Sequence, residues 1–355
     1  MSDTNGAHAA QMLKSRLAAR ALQRLGLRYV TSEELTIRRK RAGTSFTFVS
    51  PSGRIIRDEI TRARLKRLAV PPAYEDVLYA ADPRAHIQAI GRDAAGRLQY
   101  RYHPDWEKVR EQRKARRLRR LVAAMPRIRR AVTKHLATPE PSRAFALAAV
   151  IELVACSAIR PGSESYAKEH GTRGAATLLK SNVEVHGTRI ALKFRAKGGK
   201  RIEKEFHCPR AATAINALRD LPGARLFQYP TPEGETRPVT ASEVNAFLRE
   251  IAGVKISLKD FRTLSASAAA LEALARIEPA ASERGRRRQV KEAVTAVSEE
   301  LANTPAICRK SYVHQTVVAA FENGKLATFS DLLKRRRSPA RREQLLAQVV
   351  ASMAA

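Results

Sequence analysis

The chain has 355 residues, of which 44% are hydrophobic and 28% are charged, a composition that excludes a largely disordered protein. This length exceeds what a single hydrophobic core usually supports, so we expect two or more domains. Lysine and arginine number 66 against 34 aspartate and glutamate residues, and the net charge of +32 predicts a polyanionic partner such as DNA or RNA.

The cysteines, the histidines and the apolar segments argue against a zinc protein, a secreted protein and a membrane-spanning protein. Cys156, Cys208 and Cys308 are widely separated without metal-ligand spacing, and we interpret them as reduced thiols of a cytosolic protein. The eight histidines are scattered, so no zinc site is predicted. The N-terminus carries no secretory signal pattern, and the longest apolar stretch, 144–159, is too short for a membrane span.

The first part of the chain predicts a basic arm followed by a small domain. Residues 1–26 are rich in alanine and arginine and are interpreted as the arm. Residues 27–107 carry strand and turn signals, which predict a strand-rich domain. These strand signals lie at 46–49, 55–56, 85–89 and 98–102. The Ser-Pro-Ser-Gly turn at 50–53 predicts that the first two pair as a hairpin.

Residues 108–325 are predicted to form a larger, mainly helical domain. It begins with a very basic helix at 108–130, which we interpret as facing the ligand, with a solvated helix face as the alternative. Residues 144–160 are apolar on nearly all sides and predict a central helix that Pro161-Gly162 ends. Further on, Thr263 is expected to cap a helix that runs to Ile277.

Two more features complete the predicted domain. Alternating apolar residues between 183 and 206 predict a three-stranded antiparallel sheet, and its Gly198-Gly199 turn presents Lys197 at an exposed tip. A helix that begins after the break at 303–305 is expected to carry Tyr312. Residues 326–355 are interpreted as a basic tail. The predicted fold class is therefore α+β, with a small strand-containing domain and a mainly α domain that includes this sheet.

Four segments of the second domain resemble, in the same order, the signature motifs of type IB DNA topoisomerases, in particular the compact poxvirus and bacterial members. They are Ala158 to Gly162, Phe194 to Lys200, Ile256 to Thr263, and Asn303 to Tyr312. Three segments of the small domain resemble the family's DNA-clamping domain. They are Leu68 to Tyr74, Gly91 to Asp93, and Gln99 to His103. The likeness covers roughly residues 27 to 325.

The resemblance implies an enzyme that cuts one DNA strand with Tyr312 and reseals it without ATP or metal. Its product would be a 3′-phosphotyrosyl enzyme with a free 5′ hydroxyl, and supercoils would relax before resealing. Arg160 and Arg262 would bind the nonbridging phosphate oxygens through fixed donors. Lys197 would be the general acid for the leaving 5′ oxygen, and Asn303 would hydrogen-bond a phosphate oxygen.

Ordinary structural roles remain open for these residues. Arg160 could complement a helix dipole, Arg262 could pair with Asp260, and Lys200 is a rival for the role of Lys197. Poxvirus members carry a histidine where this chain has Asn303. Because asparagine does not titrate near neutral pH, a hydrogen-bonding role is expected there and an acid–base role is not.

Two other functions remain as alternatives. A tyrosine recombinase uses the same nucleophile chemistry, although recombinases typically carry a histidine at the position of Lys259. A noncatalytic nucleoid protein would bind DNA by charge alone. Tyr100, Arg101 and Tyr102 are expected to contact DNA, with core packing as the alternative for the two tyrosines. The expected partner is double-stranded DNA, with no cofactor, metal, membrane or small-molecule substrate, and we expect a cytoplasmic, nucleoid-associated monomer.

Overall fold

The computed structural model describes residues 22–138, 140–329 and 339–352. The chain divides into two compact units, one up to Arg113 and one from Lys114. The first unit contains a five-stranded antiparallel sheet, and the second is mainly helical with a three-stranded antiparallel sheet. The predicted α+β class is therefore confirmed. Most of the basic arm predicted at 1–26, and part of the basic segment at 334–342, lie outside the described residues.

The sheet of the first unit has the strand order β2-β1-β3-β4-β5. Its strands are β1 (Leu35–Ala42), β2 (Ser45–Val49), β3 (Glu75–Ala80), β4 (Ile87–Arg92) and β5 (Leu98–Tyr102), and helix α1 (Glu59–Arg67) lies between β2 and β3 in the chain. Side chains of β3 alternate between two apolar clusters: Val77 and Tyr79 pack with Leu65 of α1, whereas Ala80 packs with Ile90 on the other side. The sheet is therefore apolar on both faces.

The strand at 46–49 has a different main partner from the one predicted. β2 pairs along its length with the preceding β1, through the two-residue turn Gly43-Thr44. Gly43 has a left-handed φ of 58°, which suits it to this tight turn. Across the turn at 50–53, the predicted hairpin amounts to a single bridge between Val49 and Ile55. The main pairing partner of the five-residue β2 is therefore the longer strand that precedes it.

The second unit is built around a buried helix. Its helices, with one that begins in the first unit, are α2 (Pro104–Leu136), α3 (Arg143–Ser157), α4 (Glu164–His170), α5 (Pro209–Arg219), α6 (Ala241–Ala252), α7 (Leu258–Leu274), α8 (Glu283–Glu300), α9 (Pro305–Ser311), α10 (Gln315–Glu322) and α11 (Pro339–Ser352). The central helix predicted from the apolar run is α3, whose residues 145–154 are all buried. It ends at Ser157 rather than Arg160, because Ala158 adopts a left-handed conformation with φ 53°.

Two helix boundaries differ from those predicted. The helix for which Thr263 was the expected N-cap is α7. Its N-cap is Ser257, six residues earlier, which forms a capping box with Asp260. The single helix expected around Tyr312 is broken into α9 and α10. Thr304 caps α9, and the imidazole of His314 accepts the N–H of Thr316 to start α10. Tyr312 therefore lies at a helix end and not within a helix.

The three-stranded sheet has the predicted pairing. Its strands β6 (Val183–His186), β7 (Arg189–Arg195) and β8 (Arg201–His207) are antiparallel in that order, and a small hairpin of β9 (Gln228–Pro230) and β10 (Thr236–Pro238) lies apart. Ile190, Leu192 and Phe194 point into the core of the unit. Gly198 and Gly199 both have left-handed φ values, which explains the paired glycines in the turn between β7 and β8.

Two of the three cysteines predicted to be reduced thiols form a disulfide. Cys156, in the last turn of α3, is bonded to Cys208, which directly precedes α5, and their Cα atoms are 6.4 Å apart. Cys308 is free and buried. The prediction was wrong because α3 packs against α5, which brings together cysteines separated by 52 positions in the sequence.

Residues 339–352, within the segment interpreted as a basic tail, form α11. Its buried side chains, Leu345, Leu346, Val349 and Val350, join the main apolar core, and the helix packs against α7 and α10. Among the described residues, no helix is long and apolar enough to cross a membrane.

Candidate active site

Four of the five predicted catalytic residues come together in the second unit. Arg160 donates from Nη2 to Oδ1 of Asn303 over 2.5 Å. The guanidinium of Arg262 lies over the ring of Tyr312, 4.8 Å from its centroid. Arg262 and Asn303 both donate to the carbonyl oxygen of Leu301, which joins the two pairs. We refer to Arg160, Arg262, Asn303 and Tyr312 as the arginine–tyrosine cluster.

Arg262 is the most enclosed member of this cluster. Its side chain projects from the second turn of α7 and is only 2% exposed. Nη1 donates to the carbonyl of Ala158 and Nη2 donates to that of Leu301 over 3.0 Å. Burial lowers the pKa of Arg262, but a guanidinium remains charged at any physiological pH. Two backbone carbonyls thus fix the plane of a buried cation beside Tyr312.

The backbone around Tyr312 is also fixed. Its N–H donates to the carbonyl of Cys308, and its own carbonyl accepts from Oγ of Ser267 over 3.0 Å. The same Oγ accepts the N–H of His314. Ser267 lies on α7, so one hydroxyl ties the break between α9 and α10 to the helix that carries Arg262.

The Tyr312 phenol has a perturbed acidity. The side chain is 7% exposed, and burial by itself would raise its pKa. The positive charge of Arg262 and its hydrogen bond to the phenol, together with the charges of Arg160 and Lys259, outweigh that effect, so the pKa of Tyr312 lies below its ordinary value. The cluster therefore favours the phenolate, which is the nucleophilic form of tyrosine.

Arg160 is placed by the chain that follows α3. Its carbonyl accepts the N–H of Ala175, and the carbonyl of Pro161 accepts that of Ala176. A Cβ on Gly174 would lie 2.5 Å from the backbone nitrogen of Gly162, so this approach requires a glycine. Pro161-Gly162, which was predicted to end a helix, instead packs closely against the 174–176 turn and holds Arg160 near Asn303.

The fifth predicted residue, Lys197, contacts a residue outside the cluster. It is exposed at the turn between β7 and β8, and its Nζ lies 4.8 Å from the ring centroid of Tyr166 on α4. The base of this turn is nevertheless close to the cluster. Phe194 and Ala196 line a cavity of about 20 Å³ whose other walls include Arg160 and Arg262. A cavity of this size has room for about one water molecule.

Lys204 is a charged residue of this region that the sequence interpretation missed. Its Nζ donates to the carbonyl of Glu300 over 3.1 Å, its side chain lines the same small cavity, and burial lowers its pKa. A signal was present, because Ile202, Lys204 and Phe206 alternate along β8 and therefore lie on one face. Lysine is rarely buried, so a lysine at an inward position of a strand indicates a candidate site residue.

In the first unit, Tyr100 and Tyr102 lie on the same face of β5, as the alternation predicted. Their rings are stacked with centroids 5.9 Å apart. Tyr100 is 42% exposed, whereas Tyr102 is half-buried against Trp106. Arg101 donates to the carbonyl of Ala69 over 2.9 Å. Core packing thus accounts for Tyr102 better than for Tyr100.

One group of potential metal ligands occurs among the described residues. Glu152, Cys156 and Cys208 have ligand atoms within 4.8 Å of one another. However, the two sulfur atoms are bonded to each other, and the Glu152 carboxylate is paired with Arg210 over 2.8 Å. Neither sulfur can act as a thiolate ligand while this bond is intact, so the group does not fit a metal ion.

Comparisons with known proteins identify the family of the chain. Residues 103–337 match the family described as "Eukaryotic DNA topoisomerase I, catalytic core", and residues 45–93 match "Bacterial DNA topoisomerase IB, N-terminal domain". A "DNA topoisomerase 1B" of Acanthamoeba polyphaga mimivirus is 28% identical over 267 residues, which cover 73% of this chain and 80% of the viral protein. The first family covers well over half of the chain, including every member of the arginine–tyrosine cluster. The chain therefore belongs to the type IB DNA topoisomerases, enzymes that relax DNA by transient cleavage.

Proposed function

We propose that Tyr312 is the nucleophile with which this enzyme cuts and reseals one strand of double-stranded DNA. The observation that carries the proposal is the buried Arg262 guanidinium over the Tyr312 ring, together with the lowered pKa of that phenol. Attack by the phenolate oxygen on phosphorus would form a 3′-phosphotyrosyl bond and release a 5′ hydroxyl. Because the phosphoester bond is replaced by another, resealing needs no ATP.

Arg262 and Arg160 would stabilise the charge that builds up on the nonbridging oxygens during attack. A guanidinium has five N–H donors. The two backbone carbonyls that orient Arg262 occupy one donor each on Nη1 and Nη2, and no described residue accepts from its buried Nε. The donors that these carbonyls leave are shared between the Tyr312 hydroxyl and phosphate oxygens. Their directions are fixed before DNA binds, which lowers the cost of reorganisation.

Asn303 would act mainly through Arg160. Its Oδ1 accepts from Arg160 and its Nδ2 donates to the carbonyl of Leu301 over 3.3 Å. Arginine can only donate, so the contact fixes which amide atom faces Arg160. The side chain thereby holds Arg160 in place, and the second N–H of Nδ2 remains for a phosphate oxygen. This role requires no titration, which suits an asparagine.

Lys197 would be the general acid that protonates the leaving 5′ oxygen. A lysine on a glycine turn can follow an oxygen that moves away from phosphorus. General acid catalysis typically contributes about 10²–10⁴-fold to a rate. When the 5′ hydroxyl attacks in the reverse direction, the same amine would take the proton back.

We further propose that the protein works as a monomer on duplex DNA in the cytoplasm, associated with the nucleoid. The net charge of +32 supports a polyanionic partner held largely through phosphates. In the first unit, exposed Tyr100 and the neighbouring Arg101 would contribute contacts to the DNA.

Relaxation of negatively supercoiled plasmid by wild type and Tyr312→Phe, in EDTA and without ATP, tests this proposal. We expect relaxation by wild type, none by the variant, and equal DNA binding by both. Denaturant trapping should leave DNA covalently attached to wild type only. A folded wild type that binds plasmid without relaxing it would exclude the proposal and point to DNA binding by charge alone. Joining of two duplexes would point to a recombinase.

A further inference from the structure

The ammonium of Lys197 has an aromatic partner. Nζ lies 4.8 Å from the centroid of the Tyr166 ring, and within the part of the chain that the structure describes it forms no hydrogen bond or ion pair. Lys197 is otherwise exposed, on a turn where both following glycines have left-handed φ values. A long side chain on such a turn samples many conformations, so a single directional contact strongly affects where its charge is found.

Tyr166 is held firmly although its side chain is 37% exposed. It lies on α4, whose first residue, Glu164, forms a bidentate ion pair with Arg225 over 2.7 and 3.1 Å. Arg225 also donates to the carbonyl of Ala176, in the 174–176 turn that holds the Arg160 segment. The Tyr166 ring packs against His170 one helical turn later. The ring is therefore a fixed platform rather than a mobile surface group.

The platform and the arginine–tyrosine cluster are connected through short pieces of chain. Tyr166 follows Arg160 by six residues, and Lys197 directly follows Ala196, which lines the same small cavity as Arg160 and Arg262. The N–H of Arg173, just after α4, donates to the carbonyl of Arg195 at the end of β7 over 2.7 Å. This bond fixes the spacing between the helix that carries the ring and the strand that leads to Lys197.

We infer that Tyr166 is a positioning residue for Lys197, and that its ring holds the ammonium beside the arginine–tyrosine cluster until the lysine protonates the leaving 5′ oxygen. The inference rests on the proposed role of Lys197 as the general acid. In the step, the Tyr312 oxygen bonds to phosphorus while the bond from phosphorus to the 5′ oxygen breaks. That oxygen takes a proton from the ammonium, which becomes a neutral amine.

The ring suits this task because it discriminates between the two forms of lysine. The negative face of an aromatic ring attracts an ammonium and has no comparable attraction for a neutral amine. Before cleavage it therefore favours the form that can donate a proton. A cation–π contact at an exposed site biases a population about two- to fivefold, and we expect loss of the ring to slow cleavage by about that factor.

The test compares single-turnover cleavage of two duplexes that carry one mapped cleavage site. One has the ordinary 5′ oxygen at the scissile bond, and the other has sulfur in its place. A thiolate leaves without a proton because a thiol has a pKa of only about 8.5, so the sulfur duplex does not need a general acid. The proteins are full-length wild type, Tyr166→Leu, Tyr166→Phe, Lys197→Ala and the double variant Tyr166→Leu/Lys197→Ala.

On the oxygen duplex we expect Tyr166→Leu to be about two- to fivefold slower than wild type and Tyr166→Phe to remain close to wild type, because phenylalanine keeps the ring. On the sulfur duplex, Tyr166→Leu should match wild type. In the Lys197→Ala background, Tyr166→Leu should add no further loss. Thermal unfolding and DNA binding of each variant establish that only folded, DNA-bound enzyme is compared.

Three outcomes would overturn the inference. Equal slowing of both duplexes by Tyr166→Leu would mean that the ring acts on folding or DNA placement. Further slowing in the Lys197→Ala background would mean that it acts independently of the lysine. Faster cleavage by Tyr166→Leu would mean that it holds the lysine away from the site. If Lys197 is not the general acid, the result is distinguishable, because Lys197→Ala would then slow cleavage of both duplexes equally.

Discussion

Arg262 and Lys197 are cations of the same unit in opposite surroundings. Arg262 is 2% exposed, and two backbone carbonyls fix its guanidinium beside Tyr312. Lys197 is exposed on a glycine turn, and its ammonium contacts an aromatic ring. The difference matches the two proposed tasks. Charge on a phosphate develops at a fixed place and needs donors that do not move. A leaving oxygen moves away, and its proton donor must be able to follow it.

Lys197→Ala should lower the rate of DNA cleavage strongly and leave the thermal stability of the protein almost unchanged. We expect single-turnover cleavage of ordinary DNA to fall about 10²–10⁴-fold, because the leaving oxygen loses its proton donor. The midpoint of thermal unfolding should stay within about 1 °C, since the side chain is exposed at a turn. A marked fall in that midpoint would contradict the contrast with Arg262, because it would show that Lys197 stabilises the fold. Lys200→Ala, three residues later on the same turn, is the matched control.

Arg262→Gln should lower both rate and stability. Cleavage should slow about 10²–10³-fold, and unfolding should become easier because the fixed charge and its carbonyl contacts are lost. The guanidinium lowers the pKa of Tyr312, so its removal should raise that pKa. The rate rises with pH as phenolate forms, and its half-maximal pH should therefore move upward.

Arg262→Lys is the control for this pH shift. It keeps the positive charge but cannot reach both carbonyls, so the rate should remain low while the pH profile moves less than in Arg262→Gln. If the two variants show the same pH profile as wild type, the charge of Arg262 does not set the acidity of Tyr312.

Asn303→Ala should have a moderate effect, about tenfold on the cleavage rate, because it removes the acceptor that orients Arg160. The two residues should behave as one unit. In a cycle with Arg160→Ala, the loss in the double variant should be clearly smaller than the product of the single losses. Multiplicative losses would show that Asn303 contacts the phosphate independently of Arg160.

Reduction of the Cys156–Cys208 disulfide should affect stability and leave the rate almost unchanged. The bond closes a long loop, so opening it should lower the free energy of unfolding by about 2–4 kcal/mol. Thermal unfolding with and without dithiothreitol measures this effect, and Cys208→Ser serves as a control that should not respond to the reductant. The cleavage rate should change less than twofold, as neither sulfur touches the arginine–tyrosine cluster. An unchanged midpoint would show that the bond does not form in solution.

Local patterns predicted the features that depend on neighbouring residues. The alternation between 183 and 206 predicted the three-stranded sheet, and the paired glycines predicted the exposed turn. Motif resemblance identified Arg160, Arg262, Asn303 and Tyr312 as a set. It could not supply their contacts, because the carbonyls of Ala158 and Leu301 that fix Arg262 belong to segments about 100 and 40 positions away.

Two of the three errors have the same origin. The break between α9 and α10 depends on His314 and on the Ser267 hydroxyl of another helix, and neither is visible in a helical pattern. The start of α7 was missed although the Ser257–Asp260 capping box is a local pattern, because Thr263 also offers a capping side chain before the alanine-rich stretch. The disulfide depends on the packing of α3 against α5. The helix break and the disulfide were each decided by a distant partner that a local pattern does not include.

The disulfide has a mechanical consequence. Residues 157–207, which include Arg160 and Lys197, lie within the loop that it closes. A pull applied along the main chain from both sides of this loop is carried across the sulfur–sulfur bond and bypasses the enclosed segment. A protein attached covalently to rotating DNA experiences torque at its nucleophile. In this fold, tension transmitted through α3 and α5 would place no load on Lys197, the proposed proton donor, or on Arg160.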